Sequence, residues 1–267
     1  MSKAEKSYSL DTNTKGWRIY KLKDVEKTIV ARKGGPSAEQ IKTSPAYKEL
    51  RGNQSEFGAA SALAKAIRVT LPTQMQDIGE SYVSGKLTAA FKQLAHEEEG
   101  APGTRPILLS KYGRMMEGFD FNSKYPFADV FQPKIHARGS SDRGKMLLHF
   151  SSYVPEGSIM FPQGATHFRL FAHAVILSDY ENEEGTDVHK ALHESWQGKF
   201  HTYESMMQPI CKVALEPMTA QLSVLEYEST PYNTGIFLIV AVRFYQQKSH
   251  DFVEMEKGNS MQILKVF

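Results

Sequence analysis

The longest apolar runs lie in the second half of the chain. "HFRLFAHAVILSDY" (167–180) and "GIFLIVAVRFYQQ" (235–247) have the length of strands and carry few charges inside. At a period of two, Arg169, Phe171, His173, Val175 and Leu177 share one face, and Leu170, Ala172, Ala174, Ile176 and Ser178 share the other. Apolar residues on both faces predict a strand buried on both sides. "KMLLHFSSYV" (145–154), "CKVALEP" (211–217) and "SMQILKVF" (260–267) are further strand candidates. "VPEGS", "FPQGAT" and "EKGNS" supply turn chemistry beside them. Strands that follow one another without alternating helices predict an antiparallel β-sandwich over residues 131–267. A polar insertion, "EGTDVHKALHESWQGKFHTYE" (184–204), interrupts it with weak helical character.

The first half changes period. Tyr47, Leu50, Gln54, Phe57, Ser61, Ala64, Ile67 or Arg68, and Leu71 recur at three and four, the spacing of one helical face. Gly58, Ala62 and Ala66 form a second stripe of small residues, through which another backbone can approach closely. Ser37 with Gln40 makes a capping box for a short preceding helix. Ser44 before Pro45 is a second start signal, and Pro72 ends the long helix. A further helix is expected over 74–98, with Met75, Ile78, Tyr82, Leu87, Phe91 and Leu94 as core positions. "ILLSKYGRMMEGF" (107–119) predicts a short helix, and "DFNSKYPFADVFQP" (120–133) reads as a junction. Two short strands, "WRIYKL" (17–22) and "KTIVARK" (27–33), come first. The expected organisation is α+β: a loose tail over 1–16, a mainly helical region over 17–130, and the sandwich over 131–267.

Charge modifies this picture. Of the 267 residues, 23% are charged and 41% apolar, which suits a globular chain and argues against general disorder. No apolar run approaches the roughly 20 residues of a membrane helix. The N-terminus lacks the apolar core of a secretory signal. With Cys211 as its one cysteine, the chain cannot form an internal disulfide, and a cytoplasmic location is expected. Residues 1–72 hold 14 Lys/Arg against 7 Asp/Glu, a net of +7, whereas the remainder nets −5. Arg32, Lys33, Lys42, Lys48 and Arg51 are therefore candidate contacts for nucleic acid or an acidic protein partner.

Candidate chemistry is sparse. "RKGGPSAEQ" (32–40) lacks the Lys-Ser/Thr step of a phosphate loop, and its Ser37 and Gln40 cap their own helix, so it reads as a structural corner. His189 and His193 stand four apart, with His201 following. On a helix they would form half a zinc site, but Lys190 stands where a zincin has glutamate, and Glu194 would have to complete the set. An exposed loop without metal is the expectation there. Cys211 has no histidine nearby in sequence, and no Gly-x-Ser-x-Gly occurs. His149, His167 and His173 read as hydrogen-bonded sheet residues, and Glu97–Glu99 and Glu183/Glu184 as solvated charge. No catalytic residue and no cofactor is assigned.

Three segments carry a resemblance. They are "GGPSAEQIKTSPAYKELRGNQSEFGAASALAKAIR" (34–68), "GATHFRLFAHAVILSDYE" (164–181) and "GNSMQILKVF" (258–267). The first resembles a Gly-Gly-x-Ser, Lys-Thr/Asn-x-Pro-Ala, Asn-x-x-Glu-Phe-Gly pattern in an uncharacterised family of bacterial proteins found widely in Bacteroidetes. That resemblance implies a cytoplasmic protein of non-enzymatic character and transfers no catalytic residue. The expected function is a non-catalytic assembly or binding protein. It would form homo-oligomers through Tyr47, Leu50, Phe57, Gly58, Ala62 and Ala66. The alternatives are a nucleic-acid-binding accessory factor that uses the basic segment, a metal-dependent hydrolase centred on the three histidines, and a glycan-binding sandwich.

Overall fold

The computed structural model describes residues 17–21, 28–32, 34–184, 186–224 and 230–267. The expected tail, 1–16, lies outside the described residues. The chain divides into two compact units, 1–48 and 49–267. In the first, β1 (Trp17–Lys21) and β2 (Thr28–Arg32) pair antiparallel, with Trp17 opposite Arg32. Next comes α1 (Ala38–Thr43), opened by the expected capping box. Ser37 Oγ accepts from the Gln40 N–H at 3.1 Å, and Gln40 Oε1 accepts from the Ser37 N–H at 2.8 Å. Pro45 starts a single 3-10 turn, Pro45–Tyr47.

The second unit contains α2 (Lys48–Thr70, whose first residue belongs to the first unit), α3 (Pro72–Asp77), α4 (Val83–Ala95), α5 (Leu109–Tyr112), α6 (Phe127–Val130) and α7 (Pro155–Ser158). Its strands are β3 (Ile135–Gly139), β4 (Lys145–Phe150), β5 (His167–Ser178), β6 (Tyr180–Asn182), β7 (His189–Ala191), β8 (Phe200–Glu204), β9 (Gln208–Pro209), β10 (Met218–Ser223), β11 (Thr234–Lys248), β12 (Asp251–Glu254) and β13 (Ser260–Val266). All named pairings are antiparallel. The centre is the β5–β11 pair, continuous from Ser178 opposite Thr234 to His167 opposite Tyr245. β12 and β13 line the outer edge of β11, and β8 and β9 line the outer edge of β5. A second sheet has the order β10-β4-β3.

The alternation along β5 and β11 explains the layering. Phe171, Val175, Leu177, Phe237 and Ile239 pack with Leu63, Ile67, Leu87 and Phe91 of the helices. Leu170, Ala174, Ile176, Leu238 and Val242 pack with Met146, Leu148, Phe150 and Leu222 of the second sheet. The principal strands are therefore covered by helices on one side and by a sheet on the other. That is why they read as unbroken apolar runs. The fold is α+β with a sandwich-like C-terminal part, as expected. No helix among the described residues is long and apolar enough to cross a membrane.

Several elements differ from expectation. The helix expected over 74–98 is two helices, with residues 78–82 between them. Gly79 sits so close to the preceding turn that a Cβ there would lie 2.6 Å from the Met75 carbonyl oxygen. Tyr82 falls in this break and is 80% exposed, whereas Ile78, Leu87, Phe91 and Leu94 are buried. "CKVALEP" is not a strand. It contributes one isolated bridge, Leu215 to Tyr153, and pairing begins only after Pro217, which has no N–H to donate. The 184–204 insertion is not helical but contains β7, a 3-10 turn (Glu194–Trp196) and β8, because its backbone pairs with β6 and the free edge of β5. The expected junction at 120–133 holds α6, whose Phe127 and Val130 enter the sandwich core with Phe131. A boundary near residue 130 would therefore cut through one packed unit, and the compact units meet instead at Lys48/Glu49.

Candidate functional site

The long helix α2 carries most of the residues proposed for association, and its orientation decides which of them are available. Its inward line runs through Gly52, Glu56, Leu63, Ile67 and Thr70, with alanines between. Leu50 and Phe57 face solvent, 40% and 53% exposed. They are seven residues apart, nearly two full turns, and so lie along one line of the helix. Gly58 is exposed as well, and Ala62 is half-buried. Tyr47 is half-buried in the 3-10 turn. Ala66 is 8% exposed and belongs to the core of its own chain, which corrects its assignment to an intermolecular surface.

Polar contacts missed in the sequence explain this orientation. At Gly52 a Cβ would meet the Gly103 carbonyl oxygen at 2.8 Å, so the close backbone approach expected at Gly58 occurs here instead. One turn on, the fully buried Glu56 accepts from the Gly103 N–H at 2.8 Å and from Arg105 Nη2 at 3.0 Å. Ser55 Oγ accepts from the His189 N–H at 2.7 Å. His189 Nε2 lies 2.9 Å from the Arg105 carbonyl oxygen, which can only accept, so Nε2 carries the proton and Nδ1 accepts from the Ser55 hydroxyl at 3.1 Å. Arg51 pairs with Asp187 at 2.8 Å. A backbone approach and buried charge thus pin the N-terminal half of α2 to the 103–105 loop and to the β7 segment. The periodicity of large residues could not detect them.

The three histidines do not converge. His189 is buried and holds structural partners at both ring nitrogens, His193 is half-buried, and His201 is exposed on β8 opposite Ala174. The helical spacing that would have joined the first two is absent. Among the described residues no group of three or more His, Cys, Asp or Glu is placed to hold a metal ion. The proposed anion contacts are similarly divided. Lys42 and Lys48 are exposed and Arg51 is ion-paired. Lys33 lies outside the described residues, and Arg32 is described only as backbone at the end of β2.

His173 is held inside the fold. His173 lies between Thr202 Oγ1 at 2.7 Å and Thr70 Oγ1 at 3.0 Å, with the Thr70 hydroxyl already donating to the Ile67 carbonyl. The Thr70 oxygen must therefore accept, so Nε2 is protonated and Nδ1 accepts from Thr202. Burial, reinforced by the neighbouring His201, pushes this imidazole down to about 4. His149 and His167 contact Thr219 and Thr166, and Cys211 Sγ donates to the Val213 carbonyl.

An open cleft of about 400 Å³ is lined by Gln76, Asp77, Glu254, Met255, Glu256 and Asn259. Beside it the side chain of Arg243, 6% exposed, pairs with Asp77 at 2.7 Å and Glu254 at 3.2 Å and lies over the Phe171 ring. Burial pushes the Glu254 carboxyl up, and Arg243 partly offsets the shift. The cleft residues supply carboxylates and amides but no histidine, cysteine or hydroxyl nucleophile, and Arg243 neutralises two of the carboxylates. This arrangement ties α3 to the β11–β12 hairpin. No family model, curated protein or solved structure matches the chain.

Proposed function

We propose that this protein is a non-catalytic assembly or binding protein that associates with further copies of itself through the solvent side of α2. The observation that carries the reading is the exposure of Leu50 and Phe57 on a helix whose opposite side is already filled by the chain's own core. Both side chains are already about half covered, so burying the remainder contributes at most a few kcal/mol per chain, which offsets only part of the cost of association and fits a weak assembly that needs further contacts. The internal pairing of Arg51, Glu56 and Arg105 also favours a structural role for the charged part of the helix. A cytoplasmic location and kinship with the Bacteroidetes family that the chain resembles belong to the same proposal. Of the basic contacts, Lys42 and Lys48 remain available to an acidic partner.

Light scattering at tens of micromolar tests the reading. The native chain is expected to exceed the mass of one copy, and Phe57→Arg is expected to reduce it to one copy while leaving the circular dichroism spectrum unchanged. A native particle of monomer mass at that concentration overturns it.

A further inference from the structure

Outside α2, the outer face of the three-stranded sheet places two histidines side by side. His136 on β3 stands directly opposite His149 on β4, and Thr219 on β10 stands opposite His149 on its other side. All three are exposed. The imidazole centroids are 6.5 Å apart, with 31° between the ring planes. We infer that His136 and His149 form a two-point site on this face for a first-row divalent cation of the imidazole-preferring kind, Ni²⁺, Cu²⁺ or Zn²⁺, with water completing the coordination.

Three features support the inference. The first is reach. Facing residues across an antiparallel pair have Cβ atoms about 4.5–5.5 Å apart, so both rings spring from neighbouring anchor points. An ion about 2.0–2.1 Å from one nitrogen of each ring holds the centroids about 5–6 Å apart, and a small rotation of exposed side chains provides that closure. The second is orientation. His149 Nδ1 lies 3.3 Å from Thr219 Oγ1, and donation from Nδ1 to that hydroxyl leaves the lone pair on Nε2. Metal-binding histidines commonly have such a partner, which fixes the tautomer. The third is selectivity. The next row on the same face consists of Arg138, Leu147 and Gln221, and neither row contains a carboxylate. Attraction by charge is therefore weak, and the ion must be held by imidazole nitrogen. That excludes Mg²⁺ and Ca²⁺, which take oxygen ligands, and favours the later metals of the first row. The arrangement is independent of α2 and of the proposed self-association.

Calorimetric titration of the whole chain with NiCl₂, above the pH range in which imidazoles are protonated, tests the site. The expected result is one ion per chain, with affinity unchanged by excess MgCl₂. His136→Ala and His149→Ala should each weaken binding at least tenfold. Thr219→Val should weaken it by less, because it removes only the orienting contact. Nickel should also raise the unfolding temperature of the native chain but not that of the double variant His136→Ala/His149→Ala, because an ion bound only to the folded pair stabilises it. All these positions are exposed, so the variants should keep the native circular dichroism spectrum. Equal nickel binding by the double variant, or no binding to the native chain at millimolar nickel, overturns the proposal.

Discussion

Gly52 of α2 and Gly103 of the loop after α4 meet backbone to backbone. A Cβ on Gly52 would lie 2.8 Å from the Gly103 carbonyl oxygen, and one on Gly103, at φ +87°, would lie 2.4 Å from the Asn53 nitrogen. Gly-to-Ala exchange inside a helix ordinarily stabilises by about 1 kcal/mol. At Gly52 that gain is outweighed, because rigid backbone rather than a flexible side chain occupies the space. Gly52→Ala is expected to destabilise by about 1–3 kcal/mol, the usual cost of overpacking. Gly85→Ala in α4, with nothing within 4 Å of the new methyl, should stabilise by up to about 1 kcal/mol. Urea denaturation of the two variants should therefore show opposite signs.

Glu56 shares this contact. Its removal leaves Arg105 and the Gly103 N–H without their buried acceptor. Breaking one side of a buried pair costs about 3–5 kcal/mol, and Glu56→Ala should fall in that range. Adding Arg105→Ala should cost less than the sum of the two single changes, because each removes the same interaction. Additive effects in thermal unfolding would show that the pair is not coupled.

Arg243 should behave differently. Its partners Asp77 and Glu254 keep 35% and 33% of their side chains exposed, so both carboxylates can rehydrate when the guanidinium is lost. Arg243→Met, which preserves the packing on Phe171, is expected to cost about 1–2 kcal/mol, less than Glu56→Ala. It should also push the Glu254 carboxyl further up, because Arg243 is what holds it down. An NMR titration of the glutamate carboxyls reads that shift directly.

His173 makes stability depend on pH in one direction. Its folded value, about 4, lies below the ordinary 6.5, so the unfolded chain takes up the proton first as pH falls. Above about pH 6.5 the imidazole is neutral in both states and contributes no slope. Between about 6.5 and 4 stability declines, by about 3 kcal/mol in all. His173→Gln should be less stable at pH 7, yet its loss between pH 7 and pH 5 should be smaller than the native chain's by about 2 kcal/mol. Equal losses in denaturant titrations at the two pH values would remove His173 as the cause.

Phe57 should act through apolar contact and not through charge. Phe57→Ser is expected to lower particle mass much as Phe57→Arg does. Raising salt to about 0.5 M should leave association of the native chain intact, because screening weakens exposed ion pairs but not apolar burial. Dissociation with salt, followed by sedimentation, would point instead to the lysines.

Local pattern alone determined the principal strands and the first helix. β5 and β11 are covered on both faces, so each reads as an unbroken apolar run of strand length, and that run suffices to place them. The Ser37–Gln40 capping box closes within three residues and needs no distant partner. Tertiary structure decided which side of α2 turns inward. Periodicity marked the line of Leu50 and Phe57 as one helical face without showing which side turns inward; that follows from Gly52 and Glu56, pinned to Gly103 and Arg105 with separations of 47 and 49 residues in the Glu56 contacts. A helical stripe of alanine, leucine and isoleucine then fills the core beneath them. The same limit holds for His189, whose partners lie 134 and 84 residues away. It holds also for His136 and His149, which became neighbours only when the β3–β4 register placed them opposite each other. Periodicity reports how one segment divides its own faces. Burial of a charge, close approach of two backbones and pairing of two imidazoles each depend on a second segment, whose position is set by the packing of the whole unit.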